Sequence, residues 1–134
     1  MSVSWDPIYS VHVRVIDAQH KRYITILSEL DDAVIEKRPD IELGAIFNEL
    51  KEYTDVHFST EEMYFDRFGY EHAAEHKAAH AKFKQDLTRF QGESATDSGM
   101  FSRRLVDYLH DWLAQHIAHA DKGYEKCFHD HGLT

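Results

Sequence analysis

The chain of 134 residues is long enough for one domain with a substantial hydrophobic core. Its 24 acidic and 15 basic residues give a formal net charge of -9, and an acidic surface repels phosphate backbones, which argues against nucleic-acid binding. Cys127 is the single cysteine, which excludes an intrachain disulfide and fits a reducing compartment, so we expect a cytoplasmic protein. We find no signal peptide and no apolar run of the roughly 18 residues that a membrane span requires.

The N-terminal segment, residues 1–16, is predicted to be an extended arm. Its alternating Val11, Val13 and Val15 have the pattern of a short strand. A lone strand has no partner for its backbone hydrogen bonds, so the pattern favours an extended conformation outside any sheet.

Residues that begin or end helices divide the rest of the chain into four long helices. Asp17 is expected to cap the first helix, which ends before Pro39, and Asp40 is expected to cap the second. Gly69 is a C-terminal stop for the second helix, and a polar loop at 92–99 separates the third from the fourth. The predicted helices span about 17–38, 40–68, 70–91 and 99–120, followed by a short C-terminal helix at about 121–129.

Each predicted helix carries apolar residues at i, i+3 and i+4 spacing, which indicates one buried face per helix. In the fourth helix, for example, this stripe includes Leu105, Leu109 and Trp112. Short loops between helices of similar length predict an antiparallel, up-down-up-down four-helix bundle. The predicted fold class is therefore all-α, with one domain over residues 1–134.

Histidine is over-represented in this chain, with 11 residues, and it is the commonest metal ligand in proteins. His57 and Glu61 are four residues apart, as are His76 and His80, and such pairs lie on one helix face, one turn apart. The candidate ligands, all on apolar helix faces or just beyond them, are His20, His57, Glu61, His76, His80, His116 and Asp121. Imidazole and carboxylate suit first-row transition metals, and seven ligands are too many for one tetrahedral zinc but suit two carboxylate-bridged metals.

Taken singly, each of these patterns has an ordinary structural explanation. A histidine on an apolar face is more often a hydrogen-bonded core residue, and His-x-x-x-Glu is a common solvated pair. Five buried imidazoles and two buried acids without a metal would be costly to desolvate, so the joint pattern favours a metal site.

The spacing of His116 and Asp121 is irregular for a helix. Five residues rotate a straight helix by about 500°, which leaves the two side chains roughly 140° apart. They can share a site only if the helix distorts or ends near residues 118–120, so the sequence predicts a wide turn there. In a straight helix, Asp121 would be only a surface acid.

The other six histidines share no common helix face and are interpreted as surface or structural residues: His12, His72, His110, His119, His129 and His131. The C-terminal trio of Cys127, His129 and His131 is a weaker alternative site for adventitious metal.

The order and spacing of these motifs resemble the hemerythrin family, in particular its bacterial single-domain members. The matching segments are Trp5, IDAQHK at 16–21, HFSTEE at 57–62, His76-x-x-x-His80 and HIAHAD at 116–121. The resemblance implies a four-helix bundle with a non-haem di-iron centre that binds O2 reversibly.

The resemblance also implies a role for each of the seven candidate ligands. One iron would be held by His76, His80 and His116, and the other by His20 and His57. Glu61 and Asp121 would bridge the two irons, with an oxo or hydroxo group as the third bridge. The iron with two histidines would keep an open position for O2.

An apolar O2 pocket is expected beside the second iron, with walls formed by Phe58, Trp112, Leu113 and Ile117. Two positions depart from the family pattern. Tyr23 stands where the family usually has an aliphatic residue, and a small residue would be expected near His12. Tyr23 is expected to face the pocket, and two interpretations stay open. It is either a core tyrosine with its hydroxyl at the rim or a donor to bound oxygen.

The ligand set distinguishes this site from that of ferritin-like di-iron oxidases, which use Glu-x-x-His twice with four carboxylates. This chain has no Glu-x-x-His. We therefore predict an O2-binding protein for storage, transport or delivery rather than an enzyme, with an oxygen-using enzyme or a reductase as a possible partner. The alternatives are an O2 or redox sensor, an enzyme that scavenges peroxide or nitric oxide, metal storage, and a metal-free helical protein.

Overall fold

Helices form the regular structure of this protein. The computed structural model describes residues 3–93 and 98–134, and these contain helices but no strand. The long helices and one short one are α1 (Arg14–Ile35), α2 (Asp40–Phe68), α3 (Ala73–Glu93), α4 (Ser98–Trp112) and α5 (Glu125–Asp130). A 3₁₀ turn at Pro7–Tyr9 precedes α1, while a π-helical turn at Leu113–Ile117 and a 3₁₀ turn at Ala120–Tyr124 join α4 to α5.

The four long helices pack as an antiparallel bundle. α1 packs against α2 and α4, and α3 packs against the same two helices on the other side. This arrangement confirms the predicted all-α, up-down-up-down four-helix bundle with an extended N-terminal arm. None of the described helices is long and apolar enough to cross a membrane.

The arm is shorter than predicted because α1 begins at Arg14 rather than at Asp17. Asp17 therefore lies inside the first turn, and its predicted role as the cap is wrong. Its carboxylate instead accepts hydrogen bonds from the Val11 backbone N–H at 2.8 Å and the Ser10 hydroxyl at 2.6 Å. These bonds fasten the arm to α1, and Val11 and Val13 are fully buried without forming a strand.

Proline and glycine mark the junctions as predicted, but Asp40 does not cap α2. Pro39 occupies the position before the helix, and Asp40 is its first residue, without a side-chain cap. Gly69 ends α2 with φ 63° and ψ 43°, in the left-handed region that favours glycine, and its N–H donates to the Phe65 carbonyl. α3 begins at Ala73, three residues later than predicted, and runs through Gly92.

The predicted polar loop at 92–99 is only partly tested. α3 includes residues 92 and 93, α4 begins at Ser98, and residues 94–97 lie outside the described part of the chain.

The hydrophobic core consists of two clusters. The larger one fills the bundle with residues such as Leu27, Leu50 and Leu105, and the smaller one packs the arm and α5 against Phe65 and Phe128. Rings from both clusters contact the buried histidines described below, so the polar residues lie where the two clusters meet.

Candidate metal centre

Seven buried side chains from four parts of the chain converge inside the bundle. α1 contributes one, α2 and α3 contribute two each, and the turns after α4 contribute two. They form two groups of possible metal ligands: Glu61, His76, His80, His116 and Asp121 in one, and His20, His57, Glu61 and Asp121 in the other. The ligand atoms of each group lie within 4.8 Å of one another. The structure therefore brings together all seven residues that the sequence singles out.

A widened turn makes it possible for His116 and Asp121 to face the same point. The Ala118 N–H donates to the Leu113 carbonyl at 3.0 Å, five residues back, which is the π-helical pattern. The helical path then breaks at His119, with φ -123° and ψ -62°. His116 Nε2 and Asp121 Oδ1 consequently lie 3.0 Å apart. The predicted wide turn is confirmed, although it begins at residue 113, earlier than expected.

The first group places three imidazoles against the two carboxylates. The Nε2 atoms of His76 and His116 lie 2.9 and 3.0 Å from Asp121 Oδ1. His80 Nε2 lies 3.1 Å from Glu61 Oε1. Three nitrogens and two oxygens thus surround one point.

The second group shares the same carboxylates but has only two imidazoles. His20 Nε2 lies 3.0 Å from Asp121 Oδ2, the oxygen opposite the one that faces the first group. His57 Nε2 lies 3.4 Å from Glu61 Oε1. This point has one nitrogen fewer than the first and hence more room for an additional ligand.

Most of these ligand atoms are buried without a properly oriented hydrogen-bond partner. They are the Nε2 atoms of His20, His76, His80 and His116, Oε1 of Glu61, and both carboxylate oxygens of Asp121. Unpaired buried polar atoms are rare in folded proteins because each of them costs free energy. Lone pairs of this kind, from nitrogen and oxygen and directed at two adjacent points, fit a pair of transition-metal ions.

In three of the histidines, the other ring nitrogen, Nδ1, forms a hydrogen bond to a partner that spacing along the sequence does not reveal. His20 Nδ1 donates to the Tyr9 carbonyl at 3.0 Å, and His57 Nδ1 to Gln19 Oε1 at 2.6 Å. His80 Nδ1 pairs with Glu62 Oε2 at 2.8 Å. Such bonds select the tautomer with a free Nε2 and orient each ring toward the centre.

Tyr124 supports one of the shared carboxylates from the C-terminal side. It is fully buried, and its hydroxyl donates a short hydrogen bond to Glu61 Oε2, the oxygen that does not face the histidines. Burial, with Glu61 and Asp121 nearby, raises the pKa of the Tyr124 hydroxyl well above its ordinary value, so it stays a donor. No spacing pattern in the sequence marks Tyr124 for this role, although it follows the HIAHAD segment by only three positions.

Electrostatics keep the two carboxylates ionised. Burial alone would raise their pKa values, but the surrounding imidazoles outweigh it and hold the pKa of both Glu61 and Asp121 well below the usual range. Burial lowers the pKa of His57 to about 4, which keeps that imidazole neutral. Despite burial, Asp121 and Glu61 raise the pKa of His76 to about 9. Without metal, the two carboxylates thus favour the protonated, cationic form of His76.

The sequence of this chain matches a known family over most of its length. The family described as the hemerythrin HHE cation binding domain matches residues 11–127. The chain belongs to the hemerythrin family. A bacteriohemerythrin of Pseudomonas aeruginosa is 32% identical over 125 residues, covering 90% of this chain and 77% of that protein. A bacteriohemerythrin of Clostridium acetobutylicum is 29% identical over 120 residues, covering 89% of each chain.

The fold agrees with this family as well. A crystal structure of a hemerythrin mutant superposes with a TM-score of 0.82 at 26% sequence identity, covering 95% of this chain and 98% of that one.

Two of the four residues expected to form the walls of an O2 pocket, Phe58 and Trp112, lie against histidines of the first group. The Phe58 ring stacks on His80 with centroids 3.7 Å apart, and the Trp112 ring stacks on His116 at 3.9 Å. Leu113 and Ile117 are buried beside them in the larger core cluster. One stacked aromatic ring on each of these two imidazoles limits its rotation.

Tyr23, the departure from the hemerythrin pattern, is a buried core residue whose hydroxyl does not reach the rim. That hydroxyl donates to the Leu109 backbone carbonyl at 2.7 Å, between α1 and α4. Its one hydrogen is therefore committed to the backbone, and the interpretation of Tyr23 as a donor to bound oxygen is wrong. Tyr23 is thus the core tyrosine of the first interpretation, except that its hydroxyl is buried between α1 and α4 and not at the rim.

The six remaining histidines lie outside both groups of ligands. His110 pairs with Asp31 at 3.0 Å, between α4 and α1. His12 adopts φ 55°, a backbone conformation that favours glycine, so the expectation of a small residue at this position has a physical reason. The C-terminal trio does not form a third group within the described residues.

Proposed function

We propose that this protein binds O2 reversibly at a non-haem di-iron centre and serves in O2 storage, transport or delivery rather than as an enzyme. One observation carries the proposal: two adjacent groups of buried ligand atoms share both of their carboxylates. Membership of the hemerythrin family supports iron as the metal. An oxygen-using enzyme that receives O2, or a reductase that restores the reduced state, would be its partner.

In this proposal, each side chain has the role that the family resemblance implies. One iron would be held by His76, His80 and His116, and the other by His20 and His57. Glu61 and Asp121 would be shared by the pair, which their membership of both groups supports. When bound, two iron(II) ions would supply the two electrons that reversible O2 binding requires.

The composition of the ligand set favours a carrier over an oxidase. Five imidazoles, neutral when they bind metal, and two carboxylates place less negative charge around the metals than the four carboxylates of ferritin-like oxidases. Less negative charge disfavours higher oxidation states, so release of O2 competes better with further oxidation. The rings of Phe58 and Trp112 cover His80 and His116 with apolar surface, which would slow the loss of reduced oxygen species from the centre.

An optical spectrum tests the proposed function directly. Iron-loaded protein is reduced without air and then exposed to O2. We expect a visible charge-transfer band that disappears under vacuum and returns with air over several cycles. Immediate and irreversible conversion to the oxidised protein would contradict a carrier and favour a redox enzyme or a sensor.

Metal analysis of paired variants tests the ligand assignment. We expect two irons per chain in the wild-type protein and a loss of iron in His80→Ala. His110→Ala is the matched control because it also removes a histidine from a helix of the bundle, but one that pairs with Asp31 away from the centre. Equal iron contents in the two variants would contradict the assignment.

A further inference from the structure

Tyr53 carries a buried hydroxyl that has no hydrogen-bond partner among the described residues. The other two tyrosine hydroxyls near the centre are committed, that of Tyr23 to the Leu109 carbonyl and that of Tyr124 to Glu61. A buried polar group without a partner costs free energy, and native proteins contain few of them. The Tyr53 hydroxyl is therefore a donor available to something outside the protein chain.

The Tyr53 ring lies on the side of the centre that has fewer protein ligands. Tyr53 is one turn before His57 on α2, and the two rings stack with centroids 5.4 Å apart and planes at 14°. Burial raises the pKa of Tyr53 well above its ordinary value, and the charges of Glu61 and Asp121 raise it further. The ring contact with His57 places Tyr53 beside the group formed by His20 and His57.

A surface groove reaches the outer side of the same ring. The groove, of about 480 Å³, runs between α1 and α2, and its lining includes Gln19, Tyr53 and Val56. Gln19 is also the residue that holds His57 Nδ1. The Tyr53 ring and the Gln19 amide thus lie between the groove and the group formed by His20 and His57.

We propose that the Tyr53 hydroxyl donates a hydrogen bond to a small ligand that binds beside His20 and His57. The inference rests on the proposed function and assigns to that site a ligand-contacting residue. The ligand class is a diatomic or triatomic molecule with a terminal lone pair, either O2 or a small anion. A ligand that carries or gains negative charge accepts such a bond most strongly.

Azide is the probe for this contact because it is small, anionic and ends in a hydrogen-bond acceptor. Oxidised, iron-loaded wild-type protein and Tyr53→Phe are titrated with azide and followed by visible absorption. We expect the variant to bind azide about tenfold more weakly, as for the loss of one hydrogen bond to a charged group. Tyr64→Phe, a hydroxyl deletion on the same helix whose ring packs against Phe68 and Phe128, is the matched control and should bind like wild type.

Thermal melting of the same iron-loaded proteins without azide gives an independent measurement. Tyr53→Phe should melt at the wild-type temperature or higher, because it removes a buried hydroxyl that has no protein partner. A lower melting temperature, a loss of iron from Tyr53→Phe or an unchanged azide affinity would each overturn the inference. Wild-type protein that binds neither O2 nor azide would overturn the proposed function, whereas equal binding by wild type and Tyr53→Phe would overturn this inference alone.

Discussion

The buried imidazoles of the centre differ in the chemical nature of the group that holds Nδ1. A backbone carbonyl holds His20, a neutral amide holds His57, and a carboxylate holds His80. Hydrogen bonding to a carboxylate makes an imidazole a stronger electron donor than hydrogen bonding to an amide does. The two metal positions are thus supported unequally, with the anionic partner on the side that has three histidines.

Replacing Gln19 should weaken the side of the centre that has two histidines. In Gln19→Leu, His57 Nδ1 loses its acceptor at 2.6 Å, and the ring is no longer fixed in the tautomer with a free Nε2. We expect a 10- to 100-fold loss of affinity at one of the two metal positions, about the usual effect of losing such a partner. Competition with a chelator of known affinity measures this loss.

Gln19→Glu is the matched variant because it retains an acceptor oxygen at the same reach. It should keep the metal affinity within a few fold of wild type. If Gln19→Leu bound both metals as tightly as Gln19→Glu, the hydrogen bond to His57 would have no role in metal binding.

Single residues could be predicted from the sequence only where their spacing along one helix carried the information. The pairs His57 and Glu61, and His76 and His80, follow from helical geometry alone. Gln19 could not be found in this way, because it is adjacent to His20 in sequence but binds His57 on another helix. Tyr23 was misinterpreted because spacing along α1 gives no sign of a carbonyl acceptor on α4.

At the level of elements, the π-helical turn at Leu113–Ile117 determines whether Asp121 reaches the centre. Deleting Gln115 should restore the ordinary helical repeat and rotate the following residues by about 100°. His116 and Asp121 can then no longer face the same point. We therefore expect fewer than two irons per chain, while the circular dichroism still shows a helical protein. Metal analysis and circular dichroism of the deletion variant check both parts.

The substitution Gln115→Ala is the control for that deletion, because it changes the same exposed position without shortening the turn. It should bind two irons. A deletion variant with full iron content would show that Asp121 does not depend on the widened turn.

Asp86 joins α3 to α4 away from the centre. Its buried carboxylate accepts hydrogen bonds from the Tyr108 hydroxyl at 2.7 Å and from Lys82 at 2.9 Å. Burial opposes ionisation, but these partners prevail and lower the pKa of Asp86 below its ordinary value. A lowered pKa in the folded state stabilises the fold above the unfolded-state pKa, and this contribution is lost as the pH falls through the folded-state value.

Asp86→Asn should therefore destabilise the protein by about 1 kcal/mol at pH 7, with a smaller effect as the pH falls from 5 toward 3. Urea unfolding of wild type and variant across this range measures the difference. Asp55→Asn is the control, since Asp55 is exposed and pairs with Lys84 only at 3.3 Å. A difference for Asp86→Asn that did not change with pH would contradict the role of its charge.

Element positions were predicted best where proline or glycine fixes the backbone. Pro39 and Gly69 bracket α2 in the structure as they do in the prediction. The two aspartates predicted to cap helices were less informative. The local sequence specifies neither the partners of Asp17 nor the place of Asp40 as the first residue of α2. Asp17 binds backbone and side-chain groups of the arm, and that tertiary contact moves the start of α1 back to Arg14.

For the molecule as a whole, bound metal should contribute much of the stability. Without it, buried ligand atoms are left unpaired in both groups, and metal that binds only the folded state stabilises that state by mass action. We expect removal of iron to lower the free energy of unfolding by about 4 kcal/mol. This is the stabilisation expected when the free metal concentration is 1,000 times the dissociation constant. Calorimetry of loaded and chelator-treated protein measures it, and equal melting temperatures would contradict metal binding at these residues.

The position of the centre within the chain also governs the order of folding events. His20 lies in the second turn of α1 and Asp121 beyond α4, yet their side chains are in contact. The 100 residues between them must close into a loop before this contact forms, and contacts between residues so distant in sequence are slow to form. Metal uptake during refolding therefore reports the completion of the bundle, and at saturating iron its rate is the rate of folding.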